Sequence, residues 1–129
     1  MRSVPLLKIL VHDLEAALAF YTDVLGLVVR EDRILGDYRW LLVGFPGQPD
    51  FALNLDLATT EEQRHLVGRQ AADLPLFSID TDDCENDYQR LRAQGVTFDS
   101  EPDAQPYGTG VMLRDLYNNR IYLNQEPSN

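Results

Sequence analysis

Two stretches of this sequence carry the same punctuation, and that repeat constrains the fold more than any other feature. Asp13 and Gly26 bracket the apolar stripe Leu14, Ala17, Leu18, Tyr21, Val24 and Leu25; Asp82 and Gly95, at the same separation, bracket Cys84, Tyr88 and Leu91. An Asp accepts from the free N–H groups that open a helix, and a glycine takes the left-handed conformation that closes one, so each bracket marks an amphipathic helix. The cap of the second is Asp82 or Asp83. Each helix follows an alternating apolar segment and precedes three more strand candidates, so both halves read strand, helix, strand, strand, strand.

In the first half the strands are expected at Val4 to Val11, Leu27 to Arg33, Asp37 to Gly44 and Phe51 to Leu57. The last is the clearest, with Phe51, Leu53, Leu55 and Leu57 on one face and Ala52, Asn54, Asp56 and Ala58 on the other. In the second half they are expected at Leu74 to Asp80, Thr97 to Ser100, Gly110 to Arg114 and Arg120 to Asn124. The polar run between the halves has a short helical pattern from Thr60 to Val67 and reads as a connector. Neither half is large enough to bury its own sheet. The expectation is therefore one α+β domain over residues 1–129, with module one at about 1–58, the connector at about 59–73 and module two at about 74–126.

Charge and cysteine usage narrow the partners. Eleven Lys and Arg against twenty-one Asp and Glu leave a net charge of −10, which repels polyphosphate and anionic lipid and draws in cations. Nucleic acid and membrane surfaces are not expected as partners. Cys84 is the only cysteine and His12 and His65 the only histidines, so neither an intrachain disulfide nor a Cys/His zinc framework can form, and a reducing, cytoplasmic setting is expected. The apolar stretch near Met1 is broken by Pro5 and Lys8, which fits a first strand and not a signal peptide.

The runs ILVHDLEAALAFYTDVLGL, CENDYQRLRAQGVTF and DLYNNRIYLNQ together resemble the vicinal oxygen chelate superfamily, the glyoxalase, bleomycin-resistance and extradiol-dioxygenase group. That resemblance implies paired βαβββ modules curling into an open cup completed in a homodimer. It also implies a divalent metal held by one side chain from the first strand and one from the last strand of each module. Here those positions hold Leu6, Leu76, Asn54 and Tyr122. Two leucines, an amide and a phenol supply no anionic ligand, so no metal and no other cofactor is expected. An alternative places a metal-dependent lyase or dioxygenase site on His12, Asp56 and Asp80.

Without a metal, the polar strand faces suit a small organic ligand, cationic or aromatic, as the likeness to bleomycin-resistance proteins implies, and the chain reads as a binding protein more readily than as an enzyme. The expected contacts are Trp40 and Tyr122 for stacking or edge contact and Asn54, Asp56 and Arg39 for polar fixing. Trp40 and Arg39 are adjacent on one strand, so both face the ligand only if a bulge intervenes. Cys84 reads as an inert packed residue, because Asp82, Asp83 and Glu85 oppose a thiolate there. Tyr107 to Gly110 lead into a strand and read as a lip of the cup, not a phosphate loop.

Overall fold

A computed structural model of the chain describes residues 1–127. They gather into two compact units, the first spanning Met1–Val67 and the second starting at Gly68. Each unit carries one open, four-stranded mixed sheet with helices, so the class is α+β.

The first unit runs β1 (Leu6–Val11), α1 (Leu14–Ala19), β2 (Val28–Leu35), β3 (Tyr38–Gly44), β4 (Ala52–Leu57) and α2 (Glu61–Leu66). Its sheet order is β1-β4-β3-β2, with β1 and β4 parallel and the other pairs antiparallel. Asp13 caps α1 by accepting from the Ala16 N–H at 3.0 Å. The helix then widens, because the Leu25 N–H reaches back five residues to the Phe20 carbonyl at 3.1 Å, and Gly26 ends it at φ +86°. Thr60 and Gln63 form a reciprocal cap at the start of α2. One sheet face buries Ile9, Val11, Leu41, Val43 and Leu55 completely, as α1 buries Ala17 and the widened turn after it buries Tyr21.

The second unit repeats the plan with β5 (Pro75–Asp80), α3 (Cys84–Ala93), β6 (Asp103–Gln105), β7 (Gly108–Arg114) and β8 (Arg120–Gln125), in sheet order β5-β8-β7-β6. The cap of α3 is Asp83, which accepts from the Asn86 N–H at 3.0 Å, and the Gln125 side chain accepts from the Cys84 N–H at 2.8 Å. The hairpin joining β7 to β8 turns on a buried carboxylate. Asp115 accepts from the backbone N–H groups of Tyr117 and Asn119 at 2.9 Å and from the Asn119 side-chain amide at 2.8 Å, and Asn118 sits in the left-handed region at φ +72°.

Two sequence expectations need correction. Thr97 to Ser100 do not form a strand; only Phe98 bridges to Leu113, and the pairing with β7 is made later by Asp103–Gln105. Those three residues are exposed on both faces and so carry no alternation to read. The strand expected from Gly110 starts two residues earlier, at Gly108, and Tyr107 lies in the turn before it.

The central antiparallel pairs of the two sheets differ. β7 and β8 stay in register over six residue pairs, from Thr109 with Gln125 to Arg114 with Arg120. β3 and β4 register over two, Leu42 with Asn54 and Val43 with Leu53. Asn54 and Tyr122 are equivalent in the repeat, because they oppose Leu42 and Met112 respectively. Two residues before those partners stand Trp40 in the first unit and Gly110 in the second. Gly110 leaves room for the Tyr122 ring: a Cβ there would lie 1.8 Å from the phenol oxygen. In the first unit the bulk of Trp40 occupies that position, and the register with β4 stops before it.

Candidate functional site

Register fixes which side chains share a face. Lys8 lies beside Asn54 and Leu10 beside Asp56 on β1 and β4, Leu42 lies beside Asn54 on β3, and Arg33 lies beside Trp40 on β2. Lys8, Arg33, Trp40, Asn54 and Asp56 therefore stand on the sheet face opposite the buried Ile9, Leu41 and Leu55.

The cationic side chains of this face are already engaged. Lys8 Nζ donates to Asp56 at 2.5 Å. Partial burial of Lys8 pulls its affinity for a proton down, but the hydrogen bond and charge of Asp56, with Tyr38 adding to both, outweigh that and hold the amine above its ordinary range. The Trp40 indole N–H donates to Glu31 at 2.6 Å, and Arg33 donates to the same Glu31 oxygen at 3.0 Å. The indole is thus held by its edge, which leaves its π surface as the group it offers.

Asn54 is fully buried, and its amide N–H donates to the Leu41 carbonyl at 3.1 Å. The amide does so where the β3–β4 register ends, and its oxygen has no hydrogen-bond partner. In the second unit the matching face carries Ser78, Met112, Tyr122 and Asn124, and the Tyr122 ring lies against Gly110.

Arg39, expected among the ligand contacts, is on the other face. Its guanidinium pairs with Asp32 at 2.9 Å and with Glu15 of α1. Those bonds raise Arg39 above its ordinary range, and the hydrogen bond from Arg39 holds Asp32 below its own. The strand β3 has no bulge between Arg39 and Trp40, so simple alternation separates them. The bulge lies instead on β2 between Val29 and Glu31, and turns Arg30 toward the carbonyls of Pro49 at 3.0 Å, Gln48 at 2.9 Å and Phe45. That clamp on the β3–β4 loop has no signature in the sequence beyond one arginine in a strand.

The metal positions implied by the resemblance do not suit a metal. Leu6 and Leu76 offer no donor, and the other two positions hold the neutral amide oxygen of Asn54 and the phenol of Tyr122, so the set supplies no anionic ligand. The relocated set is not assembled either: Asp56 is bonded to Lys8, Asp80 accepts from Asn124 at 3.4 Å, and among the described residues no three His, Cys, Asp or Glu side chains come together. Cys84 is buried, and burial, with Asp87, Glu85 and Asp83 adding like charge, pushes its thiol up and keeps it unreactive.

With the architecture and this donor set in view, the profile of the glyoxalase/bleomycin resistance protein/dioxygenase superfamily matches residues 3–123. The chain belongs to that superfamily. Among solved structures it is similar to UcmS2, at 33% identity over 96% of this chain and 98% of that one, with a TM-score of 0.84. It is also similar to TnmS3, an antibiotic binding protein from Streptomyces sp. CB03234, at 31% identity over 98% of both chains and a TM-score of 0.80. A curated relative, the uncharacterised protein YurT of Bacillus subtilis, is 31% identical over 124 residues, covering 92% of this chain and 95% of its own. No helix among the described residues is long and apolar enough to cross a membrane.

Proposed function

We propose that this superfamily member is a cytoplasmic, homodimeric binding protein that takes up a small cationic or aromatic molecule without a metal. The contacts are Trp40, Asn54 and Asp56 on the polar face of the first sheet, and Tyr122 stands at the position equivalent to Asn54 in the second. The observation that carries this reading is that one sheet face holds both an indole held by its edge and a fully buried amide, the latter at a position where the resemblance implies a metal ligand. Aromatic faces supply burial and a few polar groups fix orientation, which is the composition of an organic-ligand site. The likeness to an antibiotic binding protein at 31% identity supports the same class. The net charge of −10 favours encounter with a cation.

Thermal unfolding against a panel of cationic glycopeptide and planar aromatic antibiotics tests it. A ligand present at a hundred times its Kd adds about 2.7 kcal/mol, which for a chain of this size raises Tm by about 10 °C. A Trp40→Ala variant should lose that rise. No stabilisation by any member of the panel would refute the reading.

A further inference from the structure

The polar face of the first sheet has an uneven inventory of hydrogen-bonding groups. Each of its donor groups has a partner: the Trp40 indole N–H in Glu31, the Asn54 amide N–H in the Leu41 carbonyl, Lys8 in Asp56 and Arg33 in Glu31. The buried acceptor, Asn54 Oδ1, has no partner. The amide cannot flip to relieve this without giving up Leu41, whose carbonyl lies just past the last registered pair of β3 and β4. The bond to Leu41 thus fixes which end of the amide is left over. An acceptor shut away from water and left unsatisfied is costly, so a ligand that parts the two-pair β3–β4 seam and donates to it recovers that cost.

We infer that Asn54 Oδ1 reads the ligand, and that the molecules taken up on this face are ones that present an N–H or O–H donor beside an apolar or aromatic body. This rests on the proposed binding role and narrows its ligand class. An ether, a tertiary amide or an N-alkylated ring of the same shape satisfies the Trp40 surface equally well but leaves the Asn54 oxygen unpaired. One hydrogen bond of this kind separates such pairs by about fivefold or more in affinity.

The test uses matched probes on the wild-type protein: indole against 1-methylindole, and benzamide against N,N-dimethylbenzamide. Binding is followed in proton–nitrogen spectra of the labelled chain. The single tryptophan gives one indole signal that reports arrival at the face, and the Asn54 side-chain amide reports the contact itself. The donor-bearing member of each pair should bind about fivefold or more tightly and shift the Asn54 signal, and Asn54→Leu should erase the difference between the members. Equal affinities within each pair, with the Trp40 signal shifting for both, would overturn the inference and leave the binding role standing. A Trp40 signal that none of the four probes moves at millimolar concentration would count against both. Selective broadening of the Asn54 amide by Mn²⁺ would assign the oxygen to a cation and overturn the inference as well. The wild-type comparison decides the matter even if Asn54→Leu does not fold.

Discussion

Removing the Asp115 carboxylate should open the β7–β8 hairpin, and the cost can be worked from its partners. The side chain is buried and accepts from two backbone N–H groups and one side-chain amide, all at 2.8–2.9 Å. Bonds to a charged acceptor contribute about 1.5–3 kcal/mol each, and a buried donor left without a partner costs about 1–3 kcal/mol. Some of those donors gain water once the turn relaxes, so Asp115→Ala should lose about 3–5 kcal/mol and not the full sum. Asp115→Asn separates charge from geometry. It keeps an oxygen for the N–H groups of Tyr117 and Asn119 but sets an amide N–H against the Asn119 amide, and should cost about 1–2 kcal/mol. Urea unfolding gives both numbers, provided the slope with denaturant is unchanged. Restoring the alanine variant through Asn118→Gly, which relieves the left-handed backbone at φ +72°, should recover only about 1 kcal/mol. An Asp115→Ala loss below about 1 kcal/mol would refute the reasoning, because a buried carboxylate with three donors cannot be that dispensable.

Two further outcomes follow from the same contacts. Gly110→Ala places a Cβ 1.8 Å from the Tyr122 oxygen; since the side chain can swing away, stability should fall by only about 1–2 kcal/mol, while near-ultraviolet circular dichroism should register a displaced tyrosine. Asp32 should titrate below the ordinary carboxylate range in the native protein, and Arg39→Met should raise it, as followed by carbon NMR of its carboxyl. Its pKa is lowered on folding, so the pairing adds stability above the unfolded value and loses it as pH falls through the folded one.

Much of this architecture is legible in the sequence because it is local. Asp13 and Asp83 cap helices through their own side chains, Thr60 and Gln63 do so reciprocally, and Leu53 and Leu55 alternate with Asn54 and Asp56 along β4. What stays hidden depends on partners distant in sequence. Nothing near Arg39 says that Glu15 waits on the helix side, and nothing near Arg30 says that a bulge will aim it at three loop carbonyls. The candidate site divides in the same way: Asn54 stands out as a polar residue between leucines, whereas its bond to Leu41 and its unpaired oxygen emerge only from the register of β3 against β4.

The two-pair register between β3 and β4 also bears on how a duplicated unit can diverge. Six registered pairs bind β7 and β8 into a seam that must part as a whole, whereas β3 and β4 share two and a side-chain amide while β1–β4 and β2–β3 remain paired along most of their lengths. The first sheet can therefore widen along one line without unfolding its outer strands, in the manner of a local opening well below the global free energy. One copy of the repeat is closed by six pairs and the other by two, so substitutions at Trp40, Asn54 or Asp56 fall beside the shorter seam and leave the longer one untouched.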